Sequence, residues 1–490
     1  MSEVREFQIF VDGFWITPNK NQTIDCVNPS NGEVFAKIAK ADSDDTQKAI
    51  DAARKSFESG AWANLSIKER GKCLVAIAKL IRGNAKELSE LESKACGKTI
   101  KHTTFIDVPT AADTFEYFGR IEKELQDRKL NINAPVDSKI CYEPVGVVGA
   151  ISAWNYPLIF FGWKVAPALI AGNSIVYKPS SVASVAVMRL IEIIQDVLPK
   201  GVLNVVTGSS EAGSAIAESK DIDMLTFTGG TETGRKVMQA ASSNTKRLCL
   251  ELGGKSPNIV FADCDIDAAL GGAMSAIFMN QGQMCTAGSR LLLEDKIYDE
   301  FVEKLKGKAS SLKIGDALDY AIEFGPLASK AHRDSVIKFI EQGKKEGAKL
   351  VCGGNVPIEK GAFLEPTIFT DVDNQMTIAQ EEIFGPVLSV IKFSGEDQAI
   401  EIANDSKYGL VAMIWTKDIE KIDRVSKRLR CGTVWINTYG GFYNEAPFGG
   451  YKQSGFGREL GVEGLLEYVQ VKHICLDKTP GGKSLAASWF

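Results

Sequence analysis

Cys285 lies in the polar, glycine-flanked turn Asn280-Gln281-Gly282-Gln283-Met284-Cys285-Thr286-Ala287-Gly288, directly after the apolar run 273–279. Upstream, Glu251 stands at the end of a strand-like run, in Leu250-Glu251-Leu252-Gly253-Gly254-Lys255-Ser256-Pro257. Asn155 occupies a tight turn, Ala153-Trp154-Asn155-Tyr156-Pro157. A thiol, a carboxylate and an amide N–H are the groups needed to attack a carbonyl, hold the oxyanion and later activate a water. Each also has an ordinary structural reading. Cysteine is most often a small buried hydrophobe, Glu251 has Lys246 and Arg247 close by to pair with, and asparagine is common in turns.

The wording around these residues resembles the aldehyde dehydrogenase superfamily, and the resemblance runs nearly end to end. It is carried by Phe-Val-Asp-Gly-Phe-Trp (10–15), Asn-Pro-Ser-Asn-Gly-Glu (28–33), Trp-Asn-Tyr-Pro (154–157) and Lys-Val-Ala-Pro-Ala-Leu (164–169). It continues in Thr-Phe-Thr-Gly-Gly (226–230), Glu-Leu-Gly-Gly-Lys-Ser-Pro (251–257), Gly-Gln-Met-Cys (282–285), Glu-Glu-Ile-Phe-Gly-Pro (381–386) and Pro-Phe-Gly-Gly-Tyr-Lys-Gln-Ser-Gly (447–455). The resemblance implies attack by the Cys285 thiolate on an aldehyde, with the Asn155 side chain and the Cys285 backbone N–H holding the oxyanion. Hydride transfer to a nicotinamide would leave a thioester, and Glu251 would deprotonate the water that releases the acid. Relatives that pass the acyl group to coenzyme A usually lack this base, so Glu251 favours a free carboxylic acid as product. Lys164 is a candidate for raising the thiolate fraction and is equally well read as half of a buried ion pair.

For the cofactor, no G-x-G-x-x-G occurs, and Gly229-Gly230-Thr231-Glu232-Thr233-Gly234-Arg235-Lys236 only imitates a P-loop, since Lys-Ser/Thr does not follow the second glycine. A glycine pair between a strand and a helix still offers free backbone N–H groups to a pyrophosphate. The resemblance places NAD or NADP here, with Ile151, Trp154, Lys178, Ser181, Gly229, Gly230, Leu252, Glu382 and Phe384 among its contacts. Gly230 replaces a serine often found in that motif. Ser181 stands where many NAD-specific relatives carry a glutamate that would repel a 2′-phosphate. NADP is therefore expected to be tolerated or preferred, unless Ser181 merely weakens NAD binding.

Tyr156, Trp163 and Phe448 match positions that line the family's aldehyde tunnel, and Met284 and Thr286 flank the nucleophile. In betaine aldehyde and aminoaldehyde dehydrogenases, which the ending 461–474 also resembles, such aromatic residues cage a cationic head by cation–π attraction. Phe448 stands where many of those enzymes have tryptophan, and Trp163 is widespread among relatives that oxidise neutral aldehydes. A hydrophobic tunnel for assorted aldehydes thus stays open beside the cage. An anionic aldehyde is disfavoured because the segment 439–446 offers Glu445 and no Lys or Arg.

Bringing these distant residues together requires a large α/β scaffold. Strand-like and helix-like patterns alternate: 145–152, 174–177, 202–206 and 224–227 read as strands, and 44–63, 66–93, 183–197 and 212–219 as helices, with Asp44 and Ser66 as N-caps. A second α/β series follows Gly254, with strands 259–261, 289–293, 387–393 and 433–436 and helices 265–279, 298–312, 330–346 and 396–406. The expected architecture is a Rossmann-type parallel-sheet cofactor domain (1–125 and 145–253), a second α/β catalytic domain (254–450) and a small β arm (126–144 and 468–490). In the family that arm joins subunits, so a homodimer or homotetramer is expected; from the residues alone its two segments read equally as edge hairpins.

The chain has 490 residues, too many for one core, with 44% hydrophobic and 24% charged residues and a net charge of −5. That balance gives no reason to expect nucleic acid or an anionic membrane surface. Ten cysteines without CxxC spacing and three histidines (His102, His332, His473) fit neither a zinc site nor a Cys–His dyad. The charged start lacks a secretory core, which makes the cytoplasm the expected location. The largely apolar stretch 145–177 is interrupted by Asn155, Pro157, Lys164, Pro167 and Asn173, so strands joined by a buried helix explain it better than a membrane span. Three rival functions remain: a semialdehyde dehydrogenase preferring NADP, a dinucleotide-binding structural protein, and a cysteine hydrolase without cofactor.

Overall fold

Val147–Ile151 and Ser174–Lys178 are short strands, almost wholly buried and nearly continuously apolar. That is the pattern of strands covered on both faces. Between them runs the helix Pro157–Ile170, every residue of it buried, with Pro157 at its first position. The apolar stretch 145–177 is thus a strand–helix–strand crossover, and among the described residues no helix is long and apolar enough to cross a membrane. The computed structural model describes residues 4–482 and 484. The arm expected at 468–490 therefore lies partly outside the described residues.

The two strands belong to an eight-stranded sheet ordered Gly455–Phe456, Arg247–Glu251, Met224–Thr228, Val147–Ile151, Ser174–Lys178, Leu203–Val205, Ile9–Val11, Phe14–Ile16. The five strands from Arg247–Glu251 to Leu203–Val205 are parallel, and the flanking ones antiparallel. Side chains alternate faces along each strand. Val147, Val176 and Leu225 pack with Ala49, Ile50, Ile216 and Val237. Their neighbours Val148, Ile175 and Met224 pack on the other side with Leu74, Phe115 and Leu158. Helices therefore cover both faces, as expected of this fold class.

A seven-stranded sheet holds the second half, ordered Lys349–Cys352, Thr367–Thr370, Val387–Phe393, Arg290–Glu294, Pro257–Val260, Val411–Trp415, Thr433–Ile436, parallel except for its first strand. A three-stranded antiparallel sheet joins Val469–Asp477, Val136–Pro144 and Arg128–Leu130. Val471, Ile474 and Leu476 are exposed on it.

Two helix expectations need correction. The first helix is Ser43–Ser59, not 44–63, because Asp42 rather than Asp44 forms the capping box with Asp45, and Gly60 ends the helix in a left-handed conformation. The expected helix 66–93 is two helices, Ile67–Gly83 and Ala85–Cys96. Asn84 separates them, its side chain turning back to donate to the Leu80 carbonyl at 2.8 Å. Ser66 does cap the first, reciprocally with Glu69.

One buried cation ties the segment after Glu251 to the second sheet. Arg290 is 1% exposed and donates to the carbonyls of Lys255 (3.0 Å), Ile402 (2.8 Å) and Ala403 (2.8 Å) and to Asn374 Oδ1 (3.0 Å). Burial pushes its guanidinium down to about 10. Replacing it with leucine strands several buried acceptors, each worth about 1–3 kcal/mol. Arg290→Leu should lower stability by ~3 kcal/mol or more in denaturant unfolding; an unchanged midpoint would contradict this account.

Candidate active site

In the eight-stranded sheet, the ends of four parallel strands stand side by side. Ile151 pairs with Lys178, Phe227 with Ile151, and Thr228 with Glu251. Beyond these carboxyl ends the chain turns into Trp154-Asn155, Gly229-Gly230 and Leu252-Gly253. Ligands of open parallel sheets sit at this edge. Here it borders a cleft of about 390 Å³, lined by those turns together with Glu382, Phe384, His332 and Cys285. The helix Thr231–Ala241 starts at Gly230 with no side-chain cap, so its first N–H groups are free for an anion. Thr228 Oγ1 is buried without a hydrogen-bond partner at the same place.

Lys178 follows the same logic. It is buried, reaches only the Pro179 carbonyl at 3.4 Å, and is pushed down to about 8 by burial. An ammonium left without an anion fits a ligand carrying phosphate or ribose hydroxyls. Uncapped helix, unpartnered hydroxyl and lone lysine together suit a dinucleotide. Of the residues expected to contact the cofactor, Trp154, Gly229, Gly230, Leu252, Glu382 and Phe384 lie in the cleft wall. Ile151, Lys178 and Ser181 are not in that wall but further along the same sheet edge. Glu382 accepts from the Gly254 N–H at 3.1 Å and is pushed up to about 7 by burial. Phe384 has φ of +57°, and its carbonyl lies 2.7 Å from His332 Nε2. His332 and Trp154 meet Phe384 edge-on, giving a three-ring corner that sequence reasoning missed.

Cys285 is presented by an unusual turn. Asn280, Gln281 and Gly282 have φ of +48°, +54° and +73° in succession. Asparagine and glycine tolerate that conformation; glutamine does so at a cost. Polar bonds hold the strained turn: Asn280 Nδ2 donates to the Gln283 carbonyl (3.1 Å), Gln283 Nε2 to the Asn280 carbonyl (3.1 Å), and the Ala328 N–H to Gln283 Oε1 (2.9 Å). A Cβ on Gly282 would lie 2.2 Å from the Gly385 carbonyl oxygen, and one on Gly254 would lie 2.2 Å from that of Cys285. Both glycines are required by close approach. Asn155 Nδ2 donates to the Gln283 carbonyl at 3.0 Å, which spends one of its two hydrogens and leaves the other available.

A second cavity, about 370 Å³, lies on the other side of the thiol. Its wall contains all five residues expected to line an aldehyde tunnel: Tyr156, Trp163, Met284, Thr286 and Phe448. It also contains His102, Ile106, Thr110, Tyr439 and Phe442, which the sequence did not single out. Trp163, Phe442 and Phe448 form a triangle of rings with centroids 5.3–5.9 Å apart. Cys285 and Phe160 line both cavities. His102, Ile106 and Thr110 recur every fourth residue along a stretch that includes a π-helix, Thr103–Asp107.

Lys164 is fully buried, ion-paired with Glu459 and 3.0 Å from Thr226 Oγ1, contacts that match the second of its two readings, half of a buried ion pair. Glu251 is 3% exposed, and neither of its oxygens is hydrogen-bonded. Burial first, then Glu459, hold its carboxyl well above the usual range. Burial likewise pushes the Cys285 thiol far up, with Glu251 and Glu382 adding to the shift. This arrangement sets a thiol between a dinucleotide-sized cleft and an aromatic pocket, with an amide donor in the cleft wall and a buried carboxyl acting on the thiol. It suits an enzyme that joins thiol chemistry on a small molecule to a cofactor.

The aldehyde dehydrogenase family model matches residues 15–474. Betaine aldehyde dehydrogenase of Bacillus subtilis is 47% identical over 98% of this chain and 99% of that protein. The human mitochondrial aldehyde dehydrogenase is 41% identical over 95% of this chain and 91% of its own. The crystal structure of betaine aldehyde dehydrogenase from Staphylococcus aureus in complex with NAD+ superimposes with a TM-score of 0.95 at 40% identity, covering 99% of this chain and 96% of that one. The chain belongs to the aldehyde dehydrogenase family, enzymes that oxidise aldehydes to carboxylic acids with a nicotinamide dinucleotide.

The raised thiol has a direct consequence. A thiol with an elevated pKa is protonated at neutral pH and nucleophilic only above it. In the free protein, iodoacetamide should alkylate Cys285 slowly at pH 7 and progressively faster through the alkaline range, followed by mass spectrometry of its peptide. A rate already at its plateau at pH 7 would contradict the electrostatics described.

Proposed function

We propose that this enzyme oxidises a small aldehyde, betaine aldehyde or an aminoaldehyde, to the free acid through a thioester on Cys285. The reading is carried by one observation: Cys285 is exposed to both cavities, cofactor cleft and aromatic pocket. The Cys285 sulfur, its proton given up to solvent, adds to the carbonyl carbon while the free hydrogen of Asn155 Nδ2 and the Cys285 N–H take the oxyanion; loss of hydride from that carbon re-forms the C=O and leaves the thioester. A bound nicotinamide, held by Glu382, Phe384 and the Gly229-Gly230 turn, supplies the hydride acceptor. Glu251 then takes a proton from water, whose oxygen attacks the thioester carbon and expels the Cys285 sulfur. As a carboxylate it accepts that proton, and as a carboxylic acid it cannot. With its pKa held high, turnover should rise with pH across the neutral and alkaline range. Glu251→Gln should give one burst of reduced nicotinamide followed by a stall, seen in rapid-mixing absorbance. Full steady-state turnover in that variant would remove Glu251 from the role.

The substrate reading rests on the ring triangle beside Tyr156, suited to a quaternary or primary ammonium at roughly 0.5–2 kcal/mol per contact. The B. subtilis and S. aureus relatives that carry the betaine aldehyde name support it. One observation favours neutral aldehydes instead: the Lys98 ammonium sits 4.4 Å over the Tyr156 ring, so that ring already has a cation. We expect betaine aldehyde to outrank aliphatic aldehydes and succinic semialdehyde in kcat/KM, and both NAD and NADP to serve because Ser181 brings no carboxylate to the ribose. A ranking led by aliphatic aldehydes would discard the cage and keep the dehydrogenase.

The division into a cofactor domain (1–125 and 145–253), a catalytic domain (254–450) and an oligomerisation arm belongs to the same proposal. Val471, Ile474 and Leu476 are exposed on the arm's strand, and apolar side chains on an edge strand favour pairing with a second copy. Light scattering should show a dimer or tetramer; a monomer would overturn that part.

A further inference from the structure

The side-chain bonds that hold the turn before Cys285 end at Gln283. In the wall of the aldehyde pocket stands Tyr439, which the oxidation mechanism does not use. Its hydroxyl donates to Met284 Sδ at 3.5 Å and lies 3.3 Å from Thr286 Oγ1. Met284 and Thr286 are the two chain neighbours of the nucleophile, so one phenol bridges both sides of Cys285. Among the described residues, neither neighbour makes any other side-chain hydrogen bond. Tyr439 is itself anchored to the second sheet. Its ring meets Trp435 edge-on, centroids 5.3 Å apart at 82°, and Trp435 is the buried residue of the strand Thr433–Ile436, paired with Met413.

Counting hydrogens fixes the direction of the bonds. A phenol carries one O–H. Tyr439 gives it to the Met284 sulfur, so Thr286 is the donor to the Tyr439 oxygen. Burial holds the phenol above its ordinary range, so it remains an O–H at neutral and mildly alkaline pH. Thr286 bears on the thiol through its backbone. The N–H groups of Cys285 and Thr286 hydrogen-bond to the sulfur and favour its ionised form, against burial and the charges of Glu251 and Glu382. Such a bond favours the thiolate only while the N–H points at it. A β-branched side chain is stiffly coupled to its own backbone, so holding the Thr286 hydroxyl also holds that N–H.

We propose that Tyr439 is a positioning residue for the nucleophile: by accepting a hydrogen bond from Thr286, it keeps the Thr286 N–H aimed at the Cys285 sulfur. The inference concerns the thiol on which the aldehyde-oxidising reading rests, and its test uses no aldehyde, so either can fail without the other. The experiment follows iodoacetamide alkylation of Cys285 from pH 7 to 10, by mass spectrometry of its peptide, in the wild-type protein, Tyr439→Phe, Thr286→Val and the double variant. Phenylalanine keeps the ring against Trp435, and valine keeps the branched shape of threonine. The other titratable groups around the thiol, Glu251, Glu382 and Tyr156, are the same in all four proteins. Each single variant should be alkylated about threefold or more slowly at pH 8, with its profile displaced toward higher pH, a part of the roughly tenfold that one hydrogen bond to a charged group is worth. The double variant should be no slower than the slower single one, because both changes remove the same bond. A Tyr439→Phe profile that superimposes on the wild-type one overturns the proposal, even where the variant melts at a lower temperature. Slowing in Tyr439→Phe alone overturns it too, since altered access to the pocket would give that result. Effects that multiply in the double variant also overturn it, because the two hydroxyls would then act separately. Should Tyr439→Phe not fold, Thr286→Val decides: an unchanged profile overturns the route through Thr286, and a displaced one supports it.

Discussion

Three buried acids act on one another around Cys285, and the cations that reach them, Lys164 and Arg458 at Glu251 and Lys255 and Lys407 at Glu382, do not outweigh burial. The Cys285 thiol, Glu251 and Glu382 are each pushed upward by burial, and both carboxylates add to the shift of the thiol. Ionising any one of them raises the cost of ionising the others. The nearest lysine along the helix, Lys164, is committed to Glu459. Burial thus disfavours the ionised forms of both the thiol and its carboxylate neighbours. Reactivity depends on what enters the cleft and on the order in which protons leave.

The scaffold makes that crowding possible by using strand ends. Lys178, Ile151, Thr228 and Glu251 come to one edge because parallel strands in register finish together. The nucleophile arrives from the other half of the chain on a turn that is left-handed at three successive positions and strained at Gln281. Such strain persists only where the surroundings over-determine it, and the bonds among Asn280, Gln283 and Ala328 are those surroundings.

Much of this was legible in the sequence. The alternation of short apolar runs with helical segments gives the two parallel sheets, and the Gly229-Gly230 step gives the uncapped helix. Motif wording also marks Cys285 and five residues that line the second cavity beside it. What stayed hidden has physical reasons. His102, Ile106 and Thr110 keep an ordinary helical spacing, but that spacing does not say which cavity their shared face meets. Lys164 acquires its meaning from Glu459, nearly three hundred residues away. His332 reaches Phe384 across the cleft. Single-residue chemistry can be read locally; the partner that decides its role cannot.

The two-residue strand Gly455–Phe456 is a small element with a large consequence for how the enzyme comes into being. It forms the edge of the first sheet against Arg247–Glu251, and Glu459 just beyond it supplies the partner of Lys164. A ribosome making this chain releases the strand that carries Glu251 well before this edge, and Lys164 nearly three hundred residues before Glu459. Until residues 455–459 emerge, that strand has an open side and Lys164 is without its counter-ion. The surroundings of Glu251 are therefore completed only after the turn that carries Cys285 has been made.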